Sequence, residues 1–172
     1  LLFSGARRSN VQAMQWSDMD LSDPEKPQWR IPGDESKNKN PMQVQIVEPV
    51  TSLLNRRYKE QRRRLLALRA KRDLNKLTQR EAARLELLER GEGYVFPPKQ
   101  KGKPKKNGEP PTPHLVEPKR AWGTICQNAG IENVRIHDLR RTLGSWQAIM
   151  GASLQIIGKS LGHKSTRSTE IY

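Results

Sequence analysis

The spacing of apolar residues predicts two helices in the middle of the chain. The first runs from about 51 to 72, and the second follows a Thr78–Glu81 capping box and ends at Gly91. In both segments apolar residues recur every three or four positions, as on the buried face of a helix. They are Leu54, Tyr58, Leu65 and Leu68 in the first segment, and Ala82, Leu85 and Leu88 in the second. Two helices with so short a link predict a helical hairpin.

The C-terminal third carries four more helical patterns. Their predicted spans are 112–130, 137–150, 153–161 and 166 to the last residue. In the first of these, Cys126 stands beside Ile125, and we interpret the thiol as a small core residue. The inward-facing residues are expected to be Leu139, Leu143, Trp146 and Ile149 in the second, and Leu154, Ile157 and Leu161 in the third.

Between residues 21 and 50 the pattern changes to alternation, which is typical of strands. Trp29–Ile31 alternates, Met42–Val47 alternates again, and the polar segment 33–41 between them reads as a hairpin turn. The short apolar segment Tyr94–Pro97 is interpreted as a buried edge. The predicted fold class is therefore α+β, mainly α, with a small antiparallel sheet near the N-terminus.

Composition indicates a polyanionic partner. The chain has 172 residues, the size of one ordinary domain, and a formal charge of +14 with a pI near 10.3. Nucleic acid is the first choice and a membrane surface the alternative, although no apolar run approaches the length of a spanning helix. The start lacks the features of a signal peptide, and a single cysteine fits a reducing cytoplasm.

Two basic segments could contact a polyanion. The first is an arginine-rich face of the predicted hairpin, which either touches DNA or is merely solvated; the second is a Lys/Gly/Pro-rich segment at about 99–113, expected to be a flexible loop. Such segments add affinity that depends on salt and is blind to sequence. Their candidate DNA-binding residues are Arg62, Arg63, Arg64, Lys101, Lys103, Lys105 and Lys106, and the arginine-rich face also includes Arg56 and Arg57.

The candidate chemistry lies near the C-terminus. His137 and Arg140 stand three residues apart, so a helix would present both on one face. Leu161–Gly162–His163 follows, and the chain ends at Tyr172. An arginine binds phosphate with two parallel hydrogen bonds, histidine transfers protons near neutrality, and tyrosine can form a covalent intermediate. Together these residue types indicate covalent chemistry on a phosphodiester.

This combination resembles the C-terminal signature of the tyrosine recombinase, or phage integrase, family. The resemblance includes the His137–Thr142 box, Leu161–His163, and a tyrosine nine residues after that histidine. Near the start, Gly5-Ala6-Arg7 and the later Trp16–Asp20 are similar to the family's Gly-x-Arg motif and its continuation. The segment Ala129–Ile131 also resembles a link that precedes the family's histidine box. Asn10 departs from the pattern, because the family usually has an acidic residue there.

The resemblance implies a role for each candidate. Arg7 and Arg140 would hold the non-bridging oxygens of the phosphate, and His163 would donate a hydrogen bond to one of them. Tyr172 would be the nucleophile, giving a 3′-phosphotyrosyl intermediate, and His137 would help to deprotonate it or support the phosphate. The general acid would be a lysine of the 33–41 hairpin, Lys37 by its distance from Val44, with Lys39 as the alternative and a merely solvated turn lysine as the third reading. No metal, ATP or other cofactor is implied.

The whole resemblance implies the catalytic domain of a site-specific DNA recombinase, encoded by a phage or genomic island. It would act on double-stranded DNA in the bacterial cytoplasm, and the family assembles as a tetramer on DNA. A type IB topoisomerase-like activity and a non-catalytic DNA-binding module stay open as alternatives; RNA binding is weakest, since aromatics are few. The domain would span 1–172, as part of a longer protein, with a helical-hairpin insertion at about 56–90, where the family normally has one helix.

Overall fold

The computed structural model describes residues 1–33, 40–99, 108–163 and 165–171 of the chain, without the side chain of Thr166. It confirms the predicted mainly helical fold with a small antiparallel sheet. The described helices are α1 (Arg8–Gln12), α2 (Glu48–Asp73), α3 (Gln79–Arg90), α4 (Lys119–Ala129), α5 (Asp138–Ile149) and α6 (Leu154–Leu161). The strands are β1 (Met19–Asp20), β2 (Gln28–Ile31) and β3 (Met42–Gln45), and two short 3₁₀ helices span Trp16–Asp18 and Thr166–Ser168.

The fold consists of two compact units. The first comprises Leu1–Val11, Asp18–Val47 and Glu117–Tyr172, and the second comprises Gln12–Ser17 and Glu48–Val116. Within the part of the chain that the structure describes, no helix has the length and apolar character needed to cross a membrane.

The sheet belongs to the first unit and has the order β1-β2-β3, antiparallel throughout. Trp29 pairs with Val44, and both side chains are buried, as is that of Ile31. Arg30 lies between the two buried residues of β2 and is exposed. Because successive side chains of a strand point to opposite faces, this alternation places one face of β2 in the core.

Helix α6 supplies the centre of the first unit. Its residues Ile157 and Leu161 are fully buried. Gly5 approaches it closely: a Cβ at Gly5 would lie 3.1 Å from Leu161 and from Leu143 of α5, and the backbone there has φ +60°. Glycine adopts that conformation without strain and leaves the space that the two leucines fill.

The second unit contains α2 and α3, which pack on each other. Leu65 of α2 meets Leu85 and Leu88 of α3 in a buried cluster, with Leu68 and Leu77 beside it. At the start of α3, the Thr78 hydroxyl accepts from the backbone N–H of Glu81, and the Glu81 carboxylate accepts in return from the backbone N–H of Thr78. The reciprocal bonds satisfy two N–H groups that would otherwise have no helical partner. Val95 is also fully buried, and its N–H donates to the carbonyl of Met14.

Helix α4 begins later than predicted and is more exposed. It starts at Lys119, after Pro118, rather than at 112. Proline has no N–H and disfavours helical backbone in the preceding residue, so the proline-rich approach to this helix stays irregular. None of the residues of α4 is buried, Ile125 is 56% exposed and Cys126 is partly exposed, so the interpretation of Cys126 as a core residue was wrong.

Helix α5 turns a different face inward from the one predicted. Its buried residues are Arg140 and Gly144, whereas Trp146 and Ile149 are 49% and 81% exposed. The cause is the guanidinium of Arg140, which bonds backbone carbonyls inside the unit and so turns that side of the helix inward. In α6, Ile157 and Leu161 are buried as predicted, whereas Leu154, the first residue of the helix, is exposed.

The last predicted helix is replaced, as far as residue 171, by the 3₁₀ turn Thr166–Ser168 and a further turn. Thr169, which follows that turn, is fully buried and hydrogen-bonded to His163. That bond holds the segment against α6, where a continuous helix does not form.

Candidate active site

A cleft of about 350 Å³ in the first unit brings together residues from distant parts of the sequence. Arg7 comes from the turn before α1, Gln43 from β3, Arg140 from α5, and His163 from the residue after the end of α6. Of the four predicted catalytic residues that the structure describes, three therefore line one cavity. Its other polar lining residues include Asn10, Asn40 and Lys159.

Arg140 is the most deeply held of these residues. Its side chain is only 3% exposed, and its two terminal nitrogens donate to the backbone carbonyls of Gly5 and Leu161. A planar guanidinium with two fixed bonds has its orientation set before any ligand arrives. The first turn of α5 thus holds a positive charge in place at the wall of the cleft.

Arg7 is held by the carbonyl of Gly162, next to the Leu161 carbonyl that Arg140 binds. Its Nη2 donates to the backbone oxygen of Gly162 over 3.3 Å, and the side chain is only partly buried. Leu161 and Gly162 are at the C-terminal end of α6, where carbonyl groups lack helical partners and the helix dipole is negative. This end of α6 explains how Arg7 and Arg140 can share a cleft although their charges repel.

His163 completes the group. It follows Gly162, whose left-handed conformation (φ 62°) ends α6 and redirects the chain. Its Nδ1 lies 2.9 Å from the hydroxyl oxygen of Thr169. Burial lowers the pKa of the His163 imidazole, and the charges of Arg140 and Arg7 lower that pKa further. The neutral imidazole is therefore favoured near pH 7.

His137 does not line the cleft, although Arg140 does. It is exposed and lies just before the first residue of α5, where its carbonyl accepts the backbone N–H of Arg140 over 3.1 Å. Partial burial lowers the pKa of the His137 imidazole, with Arg140 and Arg141 adding to the effect. The spacing of three residues thus places His137 near Arg140 along the chain but leaves it outside the cavity.

Several predicted residues lie outside the described part of the chain. They are Lys37, Lys39, Tyr172 and the loop lysines Lys101, Lys103, Lys105 and Lys106. Asn40, the first described residue after the hairpin segment that carries both lysines of interest, lines the cleft.

Four polar residues that line the cleft were not among the predicted site residues: Asn10, Asn40, Gln43 and Lys159. Asn10 is 4% exposed, accepts from the Ser9 hydroxyl and lines the cleft, so the departure from the family pattern falls inside the site. Lys159 lines the same cavity from α6, and nothing in its local sequence distinguishes it from other basic residues. The available signal for Asn10 was the family pattern, in which an acidic residue usually stands at this position.

The predicted arginine-rich face contains arginines with different partners. Arg63 and Arg64 both bind Glu60, and Arg62 donates to the hydroxyl of Tyr58. A second cavity, of about 650 Å³ and within the second unit, is lined by further arginines of α2 and α3. Its arginines are Arg56, Arg57, Arg64 and Arg84, and its lining among the described residues includes one acidic side chain, Glu60.

Arg57 shows how this second cavity is charged. Its Nε donates to the carbonyl of Val95 over 2.5 Å, and its guanidinium lies 4.7 Å from the centre of the Phe96 ring. Burial lowers the pKa of Arg57, and the charges of Arg64 and Arg84 lower it further. The cavity therefore holds positive charges that repel one another, as in a site for an anion.

Comparisons with known proteins show the family of the chain. The phage integrase family model matches residues 1–172. The prophage integrase IntF of Escherichia coli (strain K12) is 25% identical over 170 residues, which make up 99% of this chain and 28% of IntF. The chain thus spans less than a third of the length of that curated relative.

Solved structures share the fold. The XerA recombinase has a TM-score of 0.62 at 19% identity, covering 99% of this chain and 49% of XerA. The XerH site-specific recombinase bound to its difH substrate has a TM-score of 0.59 at 17% identity, with 99% and 39% covered. The Tn1549 transposon integrase in complex with circular intermediate DNA has a TM-score of 0.57 at 18% identity, with 100% and 52% covered.

Proposed function

Because the chain belongs to the phage integrase family, we propose that it is the catalytic domain of a tyrosine recombinase that cuts and rejoins double-stranded DNA. The observation that carries the proposal is the cleft in which Arg7, Arg140 and His163 meet at the C-terminal end of α6. Two guanidinium groups and a neutral imidazole in one cavity are suited to a single phosphodiester.

In the proposed reaction the hydroxyl of Tyr172 attacks the phosphorus of the scissile phosphodiester. A bond from the tyrosine oxygen to phosphorus forms, the bond to the 5′ oxygen breaks, and a 3′-phosphotyrosyl intermediate remains. His137 takes part in removing the tyrosine proton or in supporting the phosphate. Lys37 gives a proton to the departing 5′ oxygen, with Lys39 as the alternative donor.

The cleft residues stabilise the charge that develops on the phosphate. Arg7 and Arg140 face the non-bridging oxygens, and the fixed orientation of Arg140 means that little reorganisation accompanies the reaction. His163 donates a hydrogen bond to one of these oxygens, a role that the lowered pKa of its imidazole permits without a net charge. In this mechanism the arginines supply the positive charge, and the phosphotyrosyl bond retains the energy needed for resealing, so metal and ATP have no required role.

Double-stranded DNA is the proposed partner, and two neighbours of similar fold were solved bound to DNA, one with its difH substrate and one with a circular intermediate. The basic loop at about 99–113 and the arginines of α2 and α3 would contact phosphates outside the catalytic cleft, with the hairpin at about 56–90 as an insertion in the domain. Assembly on DNA into a tetramer and a location in the bacterial cytoplasm complete the proposal.

A nicked suicide substrate tests the proposed function. The intact protein is incubated with duplex DNA whose nick lets the cleaved strand end diffuse away, so that the covalent intermediate accumulates. The expected result is a protein–DNA adduct that survives denaturing electrophoresis and forms in the presence of a metal chelator. DNA binding without any adduct, on the cognate attachment site, would favour a non-catalytic DNA-binding module. Relaxation of supercoiled DNA without strand exchange would favour a topoisomerase-like activity.

A further inference from the structure

Thr169 makes a side-chain contact that the mechanism above does not use. It lies six residues after His163, its side chain is fully buried, and its Oγ1 is 2.9 Å from Nδ1 of His163. Gly158 of α6 leaves room for the Thr169 side chain, because a Cβ on residue 158 would lie only 3.0 Å from the threonine oxygen. The hydroxyl thus occupies a place that the backbone of α6 leaves open.

The direction of this hydrogen bond follows from the burial of the hydroxyl. A buried hydroxyl that does not donate leaves a proton without a partner, which costs about 1–3 kcal/mol. Within the described residues, the hydrogen bond found for the Thr169 hydroxyl is the one to His163. The threonine therefore donates and Nδ1 accepts, so a neutral His163 carries its hydrogen on Nε2.

We propose that Thr169 is a positioning residue that holds His163 in its Nε2–H tautomer, so that Nε2 donates to the phosphate in the cleft. The inference rests on the proposed function, because it assigns the ring nitrogen that acts in that reaction. With Nδ1 turned to Thr169, Nε2 is the nitrogen that remains for a ligand. Arg7 and Arg140, whose charges act on the ring, favour the neutral form that the proposal requires.

Nitrogen NMR on the ¹⁵N-histidine-labelled intact protein tests the tautomer directly. The wild type is expected to show Nε2–H for His163 at pH above its titration, with assignment by a His163→Gln variant. Thr169→Ser keeps the hydroxyl and should keep this tautomer, whereas Thr169→Val should give a mixture of the two forms. Nδ1–H in the wild type, or an unchanged tautomer in Thr169→Val, would overturn the proposal.

Cleavage of the suicide substrate provides the second readout. Thr169→Val should slow adduct formation by about 10- to 100-fold, the range found for groups that orient histidines in metal sites, with DNA affinity unchanged. Thr169→Ser should restore most of the rate. Thr124→Val removes a threonine bond to the Arg120 carbonyl within α4 and is the matched control, expected to act as wild type.

Two further results would separate the role of Thr169 from the proposed function. A serine variant as slow as the valine variant, with both melting at lower temperature, would show that Thr169 only supports the fold. If the wild type forms no adduct, the proposed function fails, while the NMR result still decides which nitrogen of His163 is protonated.

Discussion

The two arginines of the cleft differ in burial, so a substitution removes different interactions at each of them. Arg140 is 3% exposed and bonds two backbone carbonyls, so it supports the fold as well as the proposed chemistry. Arg7 is partly exposed and bonds one carbonyl, at 3.3 Å. Loss of activity is thus easier to interpret at Arg7, and loss of stability is expected mainly at Arg140.

Arg140→Lys should lose most of the cleavage rate although the charge is kept. An ammonium group cannot make two parallel bonds to a phosphate, and removal of one such donor commonly lowers the rate on the order of 10²–10³-fold. One of the carbonyls of Gly5 and Leu161 would also lose its partner, so stability should fall by roughly 1–3 kcal/mol. Single-turnover cleavage and thermal unfolding measure the two effects.

Arg141→Lys is the control, since Arg141 is exposed and bonds Asp138 of the same helix. It should cleave at nearly the wild-type rate. If Arg140→Lys stayed within a few-fold of wild type, Arg140 would be a purely structural residue.

Tyr172→Phe should abolish adduct formation and leave DNA affinity nearly unchanged, because it removes only the attacking oxygen. Denaturing electrophoresis and a binding titration on the same DNA check the two halves of this expectation. Tyr94→Phe, which removes a hydroxyl from the second unit, should form the adduct normally. An adduct with the Tyr172 variant would mean that another residue is the nucleophile.

Lys37→Ala should cleave ordinary DNA slowly and be rescued by a substrate with sulfur in place of the bridging 5′ oxygen. The thiolate leaves without a proton, so loss of the general acid no longer matters. Lys39→Ala serves as the comparison and should behave almost normally on both substrates. The reverse pattern would assign the acid to Lys39, and rescue of neither would remove this role from the hairpin.

Resemblance to the short motifs of the family was enough to point to Arg7, Arg140 and His163, and the structure brings these three residues into one cleft. It did not identify Thr169 as part of the site, and it singled out Asn10 only as a departure from the family pattern. Their relevance depends on burial and on contacts across the fold, and a polar residue shows neither property in its local pattern. His137 lies outside the lining of the cleft although it stands only three residues from Arg140, and its role in the reaction stays a prediction.

At the scale of elements, the helices were predicted better than their buried faces. Periodicity located α2, α3, α5 and α6 to within a few residues, because apolar spacing and capping act locally. For α5 the same reasoning put Trp146 and Ile149 inward, where the structure has Arg140 and Gly144. Hydrophobicity alone cannot show that backbone carbonyls at the end of another helix will accept a buried guanidinium.

The second cavity gives the proposed DNA contact of α2 and α3 a specific test. Arg56→Gln with Arg84→Gln should weaken DNA binding about equally on cognate and random sequences. It should also reduce the log–log salt slope by roughly 0.9 for each phosphate that the protein no longer neutralises. Cleavage by protein that is already bound should hardly change. Binding titrations over a range of salt concentrations provide the measurement.

Arg72→Gln with Arg80→Gln removes the same number of charges from the same two helices outside this cavity, and Arg72 is already paired with Glu89. It should change the slope less. Equal slopes for the two double variants would mean that the helices act through total charge alone. Weaker binding confined to the cognate site would indicate sequence reading or contact with a neighbouring protomer.

At the scale of the whole molecule, the basic side chains behind the net charge of +14 are partly paired with carboxylates and partly collected in cavities. On α2 and α3 several arginines are neutralised by carboxylates, as in the contacts of Arg69 with Glu89 and Glu92. The candidate cleft and the second cavity instead collect positive side chains with few acidic neighbours among the described residues. Net charge therefore indicates the class of partner, and the local excess of positive charge indicates where that partner would be bound.

The position of Arg7 and Arg140 at the end of α6 also has a thermodynamic consequence. Like charges held close together oppose folding unless an anion binds between them. The two arginines should therefore lower the free energy of unfolding when no anion is bound. An anion that binds only the folded state adds RT ln(1 + [L]/Kd), about 2.7 kcal/mol at a hundredfold excess over Kd.

Arg7→Gln should therefore melt at a higher temperature than wild type without anions and gain less from added sulfate. Arg8→Gln, an exposed neighbour, should show neither change. Equal melting temperatures for wild type and Arg7→Gln would mean that the α6 carbonyls already cancel the repulsion. A higher melting temperature for Arg7→Gln would mean that the repulsion lowers the stability of the wild type when no DNA is bound. Bound DNA would restore that stability, so it would act as a folding ligand of the domain as well as its target.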